Sequence, residues 1–221
     1  MLSRSYWLFR KDAASEIKTR YAVNTQVMFI LVTISVVLFS LVNVAADYAL
    51  VSGLYWTIIY YSATNGLARS FISEYDKSTY FILKVNTSPD VVLTGKLMFN
   101  LALIFSSGLL ITLLFLLWFN IFIISSPAVF CLLLILSFTG LASASTLLGA
   151  LISKAGAKNS LFAVVSFPVM LPLLLISVDV TKACLSGTSF AAVFGSLGLL
   201  TCYDGIIITV SYMLFKYVWE D

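Results

Sequence analysis

The chain of 221 residues contains no histidine, and only 10% of its residues are charged. Without histidine it lacks the commonest general base and the commonest metal ligand of proteins. Charged residues make up about a quarter of an ordinary soluble domain. Their scarcity therefore argues against that class, and no nucleic-acid partner is expected.

Two further absences concern bound groups. The three cysteines, Cys131, Cys184 and Cys202, are far apart and form no C-x-x-C motif, so they are interpreted as buried structural thiols rather than as metal ligands. No G-x-x-x-x-G-K-[ST] loop occurs, and the stretch 156–160 is too short to form one. The sequence therefore predicts no catalytic residue, no metal site and no ATP site in this chain.

Apolar residues are what the chain has in excess: they make up 61% of it, and its mean hydropathy is +1.03. A transmembrane helix needs roughly 20 mostly apolar residues, and the chain has six such runs. They lie near 26–46, 49–68, 97–119, 127–152, 161–178 and 191–217. We therefore expect an all-α membrane protein with six transmembrane helices, which form a single transmembrane domain over 1–221.

Basic residues near the ends of the spans predict the orientation. Under a six-span topology, twelve of the thirteen lysines and arginines lie on one side, and Lys182 alone lies on the other. Because such residues are retained in the cytoplasm, both termini are expected there. The asymmetry also supports the count of six, since removing one span would place basic residues on both sides.

Residues 1–22 precede the first span and are expected to form an amphipathic helix in the cytoplasmic interface. Apolar side chains recur there at intervals of three or four residues, and most of the charged ones fall elsewhere around the helix. The apolar positions are Tyr6, Phe9, Ala13, Ile17 and Tyr21. Such a helix lies flat on a membrane surface; a solvated basic leader is the alternative.

The long polar segment 69–96 separates the second and third spans. Its centre predicts a short helix with one side formed by Phe71, Glu74, Tyr75 and Ser78. A helix of this kind can insert aromatic side chains into a groove of a soluble partner while its carboxylate meets a basic side chain. An ordinary interfacial loop is the alternative. Pro89 and Asp90 then predict a turn or the start of a helix.

This arrangement resembles the membrane subunit of a type 2 ABC exporter. More narrowly, it resembles the CcmB family, the haem exporter protein B of cytochrome c maturation, over nearly its whole length. That family has a signature F-x-x-D-x-x-x-G-x-L after its second span, and the matching residues are Phe71, Glu74, Ser78 and Tyr80. Phenylalanine is kept and the acid is kept in kind, whereas serine and tyrosine replace glycine and leucine. The stretches LARSF, SPDVVLTGK and FPVMLPLLL also resemble that family.

The resemblance implies that 69–96 is a coupling segment. In that role Phe71, Tyr75 and Tyr80 would supply apolar contact with a CcmA-like ATPase subunit, and Glu74 would meet one of its basic side chains. ATP would then be bound by the partner. Because one six-span chain is half of an ABC transporter, a second copy or a related subunit is expected, together with CcmC-like membrane proteins and lipid.

The resemblance also implies a bacterial inner membrane and haem as the cargo of the complex. The usual axial ligand of haem is histidine, which this chain lacks, so a mechanical role is favoured over haem ligation. The expected function is to couple a partner ATPase to haem export or to the release of a haem-loaded chaperone. One alternative is a type 2 permease for a drug, lipid or polysaccharide precursor; another is a secondary transporter or an intramembrane enzyme.

Several residues within the spans predict helix packing. In the fourth span Gly140 and Ala144, and likewise Ser145 and Gly149, are four residues apart. Small residues at that spacing allow close approach of helices, either within the chain or at a dimer seam. In the fifth span Pro168 and Pro172 share one face and predict a kink, which is either a fixed shape or a hinge.

Asp204 is an acidic residue within the sixth predicted span. An ionisable side chain at membrane depth costs several kcal/mol unless it is paired or hydrated, so by default it indicates a function. The alternative is that 191–203 is an interfacial segment and that Asp204 caps a helix beginning at Gly205. The family resemblance favours neither interpretation.

Overall fold

A computed structural model describes residues 2–19, 21–41, 46–67, 83–85, 87–154, 159–188 and 190–220. Apart from a single helical turn at 83–85, the helices are α1 Leu2–Thr19, α2 Tyr21–Leu41, α3 Tyr48–Leu67, α4 Pro89–Trp118, α5 Pro127–Lys154, α6 Asn159–Ser186 and α7 Phe190–Glu220. None of these residues lies in a strand, so the predicted all-α class is confirmed.

Within the described ranges, five helices are long and apolar enough to cross a membrane. The crossing stretches are Val23–Leu41, Pro89–Trp118, Pro127–Ser153, Val164–Ser186 and Phe190–Tyr217. They correspond to five of the six predicted spans, with ends that differ by several residues. The largest differences are at the end of α6, which is Ser186 rather than near 178, and at the start of α4, which is Pro89 rather than near 97. Residues 89–96 are therefore the first part of a long helix.

The remaining predicted span, 49–68, coincides with α3, which lies inside the bundle and contacts α2, α4, α5 and α6. Two of its buried polar side chains bond to these neighbours. The Tyr55 hydroxyl is 2.6 Å from Thr112 Oγ1, and Trp56 Nε1 donates to Thr181 Oγ1 at 2.7 Å. Because α3 is surrounded by protein, it can carry more polar atoms than a helix that faces lipid.

The centre of the bundle is α5, which contacts α3, α4, α6 and α7. Every residue from Gly140 to Ala150 is buried, and a helix that is buried on all sides belongs to a core. The small residues Gly140, Ala144 and Gly149 therefore pack against helices of the same chain. This stretch has no exposed surface for a dimer seam.

The two ends of the bundle differ. At one end, called the α1 end below, Leu8 of α1 and Val92 of α4 pack with Ala150 and with Trp219 near the end of α7. At the other end, called the loop end, the connection between α4 and α5 meets the end of α6, where Ser125 N donates to the carbonyl oxygen of Cys184 at 3.1 Å. The first and last helices thus meet at the same end.

Candidate functional site

The predicted coupling residues cannot be located in the fold. Phe71, Glu74, Tyr75, Ser78 and Tyr80 lie outside the described residues, and their role stays a prediction. The structure does describe the helices on both sides, α3 up to Leu67 and α4 from Pro89. The candidate site is the start of α4, which lies within the predicted coupling segment 69–96.

The start of α4 follows from local sequence. Ser88 is extended, Pro89 occupies the first turn, and the amides of Val91 and Val92 donate to Ser88 O at 3.1 and 3.2 Å. Proline suits a first turn because its missing N–H would have no helical partner there. Asp90 adds a negative charge near the positive end of the helix dipole. The helix start predicted from Pro89 and Asp90 is confirmed.

Apolar contacts enclose this start on several sides. Three consecutive residues of α4 are buried in a cluster with side chains of α1, α5 and α7. We call the group the α4-start cluster; it consists of Leu8, Val91, Val92, Leu93, Ala150, Phe215 and Trp219. The rings of Phe215 and Trp219 stack at 5.4 Å with an interplanar angle of 26°. Any displacement of the first turn of α4 must therefore disturb α1 and α7.

A buried ion pair joins α1 to α4 beside this cluster. Lys96 Nζ lies 2.8 Å from Asp12 Oδ2, and the Lys96 side chain is only 1% exposed. Lys11, which is half exposed, lies 3.4 Å from the other Asp12 oxygen. The helices approach closely because residue 95 is glycine: a Cβ there would lie 2.9 Å from Leu8 Cβ.

The face of α1 that meets α4 is not the predicted apolar stripe. The buried positions are Ser5, Leu8 and Asp12, each one residue before Tyr6, Phe9 and Ala13 of the stripe. One residue turns a helix by about 100°, so Tyr6, which is 53% exposed, is left uncovered by protein. Asp12 is one of the charged residues outside the stripe, and its burial could not be read from the local pattern because its partner lies 84 positions away in the sequence.

Buried polar contacts continue from Lys96 along α4. Asn100, one turn further, is fully buried and donates from Nδ2 to Thr146 Oγ1 at 2.8 Å. Nearer the start of the helix, Thr94 Oγ1 lies 2.9 Å from the Tyr212 hydroxyl. Specific polar contacts thus connect α4 to α1, α5 and α7.

A second buried acid, Asp204, lies in the middle of α7. Since α7 runs unbroken from Phe190 to Glu220, the alternative that Asp204 caps a helix beginning at Gly205 was wrong. Asp204 is 6% exposed, and its Oδ1 makes no hydrogen bond with any described residue. Oδ1 occupies the space that a Cβ on Gly140 would take, as does Leu173 of α6.

The sequence model of the CcmB protein family matches residues 3–213. The chain belongs to the CcmB family. The match extends from α1 almost to the end of α7, so it includes the ion pair, Asp204 and most of the α4-start cluster. No curated protein matches the chain.

CcmB membership agrees with the helical architecture. The family consists of membrane permease subunits of an ABC system for haem export and cytochrome c biogenesis, not of catalytic enzymes. This CcmB chain is accordingly a multi-pass membrane protein. Such subunits associate in general with other components of their ABC system.

The prolines and cysteines singled out in the sequence of this CcmB chain are either exposed or buried individually. Pro168 and Pro172 are inside the unbroken helix α6, and both are exposed on one face; the predicted kink stays a prediction.

Among the cysteines, Cys184 is buried, but Cys131 and Cys202 are exposed, so the interpretation of these two as buried thiols was wrong. No group of three potential metal ligands occurs among the described residues.

Proposed function

We propose that this chain is the membrane subunit of an ABC complex required for cytochrome c maturation. A separate CcmA-like ATPase drives haem export, or the release of a haem-loaded chaperone, through the coupling segment 69–96. The observation that carries the proposal is the family match over residues 3–213. The α4-start cluster supports it, because it gives the coupling segment direct mechanical access to several helices.

The proposed topology has six transmembrane helices, with α3 as the second. Because α1 and the last turns of α7 pack together at the α1 end, the chain between them must cross the bundle an even number of times. Five crossings would place them at opposite ends. Counting the 20-residue helix α3 makes the number six, and the basic residues then assign the α1 end to the cytoplasm of a bacterium.

The role proposed for the chain is mechanical. The chain has neither a phosphate-binding loop nor a histidine. We therefore assign ATP binding to the partner ATPase, and haem is cargo of the complex rather than a group bound by this chain. Phe71, Tyr75 and Tyr80 contact the ATPase, Glu74 meets one of its basic side chains, and Ser78 replaces the glycine of the family signature. A second copy of the chain, or a related subunit, completes the membrane half of the complex.

Co-purification tests the proposal. The chain is expressed with the other proteins of its own genome, extracted in mild detergent and isolated, and the preparation is assayed for ATP hydrolysis. Recovery of an ATPase subunit, with loss of c-type cytochromes on deletion of the gene, is the expected result. Recovery of the ATPase with normal cytochromes would instead favour a type 2 permease for another substrate. Recovery without any ATPase would reject both.

The orientation of the coupling segment has its own test. In a variant with all three native cysteines replaced by alanine, a single cysteine is introduced by Lys77→Cys and treated in intact cells with a membrane-impermeant maleimide. No labelling is expected until the cells are opened. Thr188→Cys, at the loop end, is the matched control and should be labelled from outside. The reverse pattern would contradict the proposed topology.

A further inference from the structure

The contact between α1 and α4 contains more than membrane anchoring requires. An interfacial helix is held at a membrane by its apolar side chains, and Tyr6 and Trp7 are exposed and free to meet lipid. The opposite side of α1 is nevertheless buried on α4 around the Asp12–Lys96 pair. A helix that served only as an anchor would not need this second, charged contact.

The burial of the pair argues for a positioning role. Removing two charges from water is costly, and apolar residues in their place often give equal or greater stability, so a buried pair is weak evidence for stability. The best-attested role of a buried pair is to fix the register between two helices. Here Gly95 permits the close approach of Leu8, and the contact between Lys96 and Asp12 is placed to hold α1 in that position.

The pair also lies where movement would enter the membrane domain. Lys96 is seven residues beyond Pro89, about 10 Å along the helix at 1.5 Å per residue. The part of the coupling segment before α4 joins the helix at that proline. A displacement that enters α4 there therefore passes the α4-start cluster and reaches the pair before it reaches Asn100.

We propose that Asp12 and Lys96 fasten α1 to the first turns of α4, so that the two helices move as one lever when the coupling segment is displaced. The inference rests on the proposed function, because it takes the displacement to come from a partner ATPase. Asp12 and Lys96 are positioning residues in this account. Neither contacts nucleotide or cargo.

The first experiment measures the fastening without the ATPase. The full chain is placed in lipid nanodiscs, and amide hydrogen exchange is followed over residues 2–19. Asp12→Asn should accelerate exchange there by roughly a hundredfold, because the charged contact between Asp12 and Lys96 is lost in a buried place, whereas Asp12→Glu should restore slow exchange. Lys11→Met, which removes a half-exposed neighbouring charge, is the control and should change little. Unchanged exchange in Asp12→Asn would overturn the proposal.

The second experiment measures the lever in the assembled complex. Cytochrome c maturation per ATP hydrolysed should fall at least tenfold in Asp12→Asn and recover in Asp12→Glu. Faster exchange in α1 with undiminished coupling would show that α1 is only an anchor, and would overturn the proposal. If the wild-type chain brings no ATPase with it, the proposed function fails and the lever fails with it, while the exchange result still decides whether the pair fastens α1.

A third variant separates loss of the pair from loss of the fold. Asp12→Asn combined with Lys96→Met leaves no unpaired charge in the contact, so it should insert and accumulate normally even where Asp12→Asn does not. Coupling should remain low, since the register is no longer fixed. Full recovery of coupling in this double variant would contradict a positioning role for the pair.

Discussion

Two acids are buried in the part of the chain that the structure describes, and their surroundings differ. Asp12, at the α1 end, faces the ammonium group of Lys96 at 2.8 Å. Asp204, in the middle of α7, has no hydrogen bond on Oδ1 and fits into the space left by Gly140. Asp12 is accommodated by an opposite charge, whereas Asp204 is accommodated by the shape of the gap that it fills. Burial alone therefore does not say how an acid is accommodated, and the comparison can be tested by changing each surrounding in turn.

The largest effect is expected from Lys96→Met. The substitution leaves Asp12 buried with only the half-exposed Lys11 near it, at 3.4 Å. Removing one partner of a buried pair costs about 3 to 5 kcal/mol, and Lys11 should bring the loss towards the lower value. Thermal unfolding in detergent measures it. A loss below about 1 kcal/mol would show that the pair is effectively hydrated, since exposed pairs contribute no more than that.

A smaller effect is expected from Gly140→Ala. The added methyl group meets Asp204 and Leu173, so α5 and α7 must separate or the carboxylate must leave its place. Overpacking of this kind costs about 1 to 3 kcal/mol. Gly195→Ala on α7 is the matched control, because a Cβ there has no neighbour within 4 Å. Equal stability of the two variants would contradict the assignment of Asp204 to the gap.

The smallest effect is expected from Asp204→Asn. The amide has nearly the shape of the carboxylate and carries no charge, so if shape is what holds residue 204, stability should change by less than about 1 kcal/mol or rise slightly. Folded yield and thermal unfolding measure the change. A loss as large as that of Lys96→Met would mean that Asp204 has a charged partner after all, and the contrast between the two acids would disappear.

Sequence reasoning singled out Asp204 and passed over Asp12. Asp204 stands out because it interrupts an apolar run, whereas Asp12 is surrounded by other charged residues and looks solvated. Its partner is a lysine 84 positions away, and the contact depends on α1 turning a neighbouring face to α4. No local pattern specifies that rotation, although the glycine at position 95 was a sign of close helix contact.

Other failures have a common cause in rules taken from water-soluble proteins. Gly205 suggested a helix start after a capping acid, but membrane helices tolerate glycine, and α7 continues through it. Cys131 and Cys202 were assumed to need burial, yet an exposed thiol on a helix that faces lipid is still in an apolar medium. What local chemistry dictates was predicted correctly: five of the six predicted spans are long apolar helices, and α4 starts at Pro89 with Asp90.

The stacked rings of Phe215 and Trp219 have a practical consequence for anyone who purifies the complex. They hold the last turns of α7 against the first turn of α4. An affinity tag or fluorescent fusion added there would stand beside the surface where a nucleotide-binding subunit is proposed to dock. The tag is better placed on that subunit, so that the assembled transporter rather than the lone membrane chain is captured.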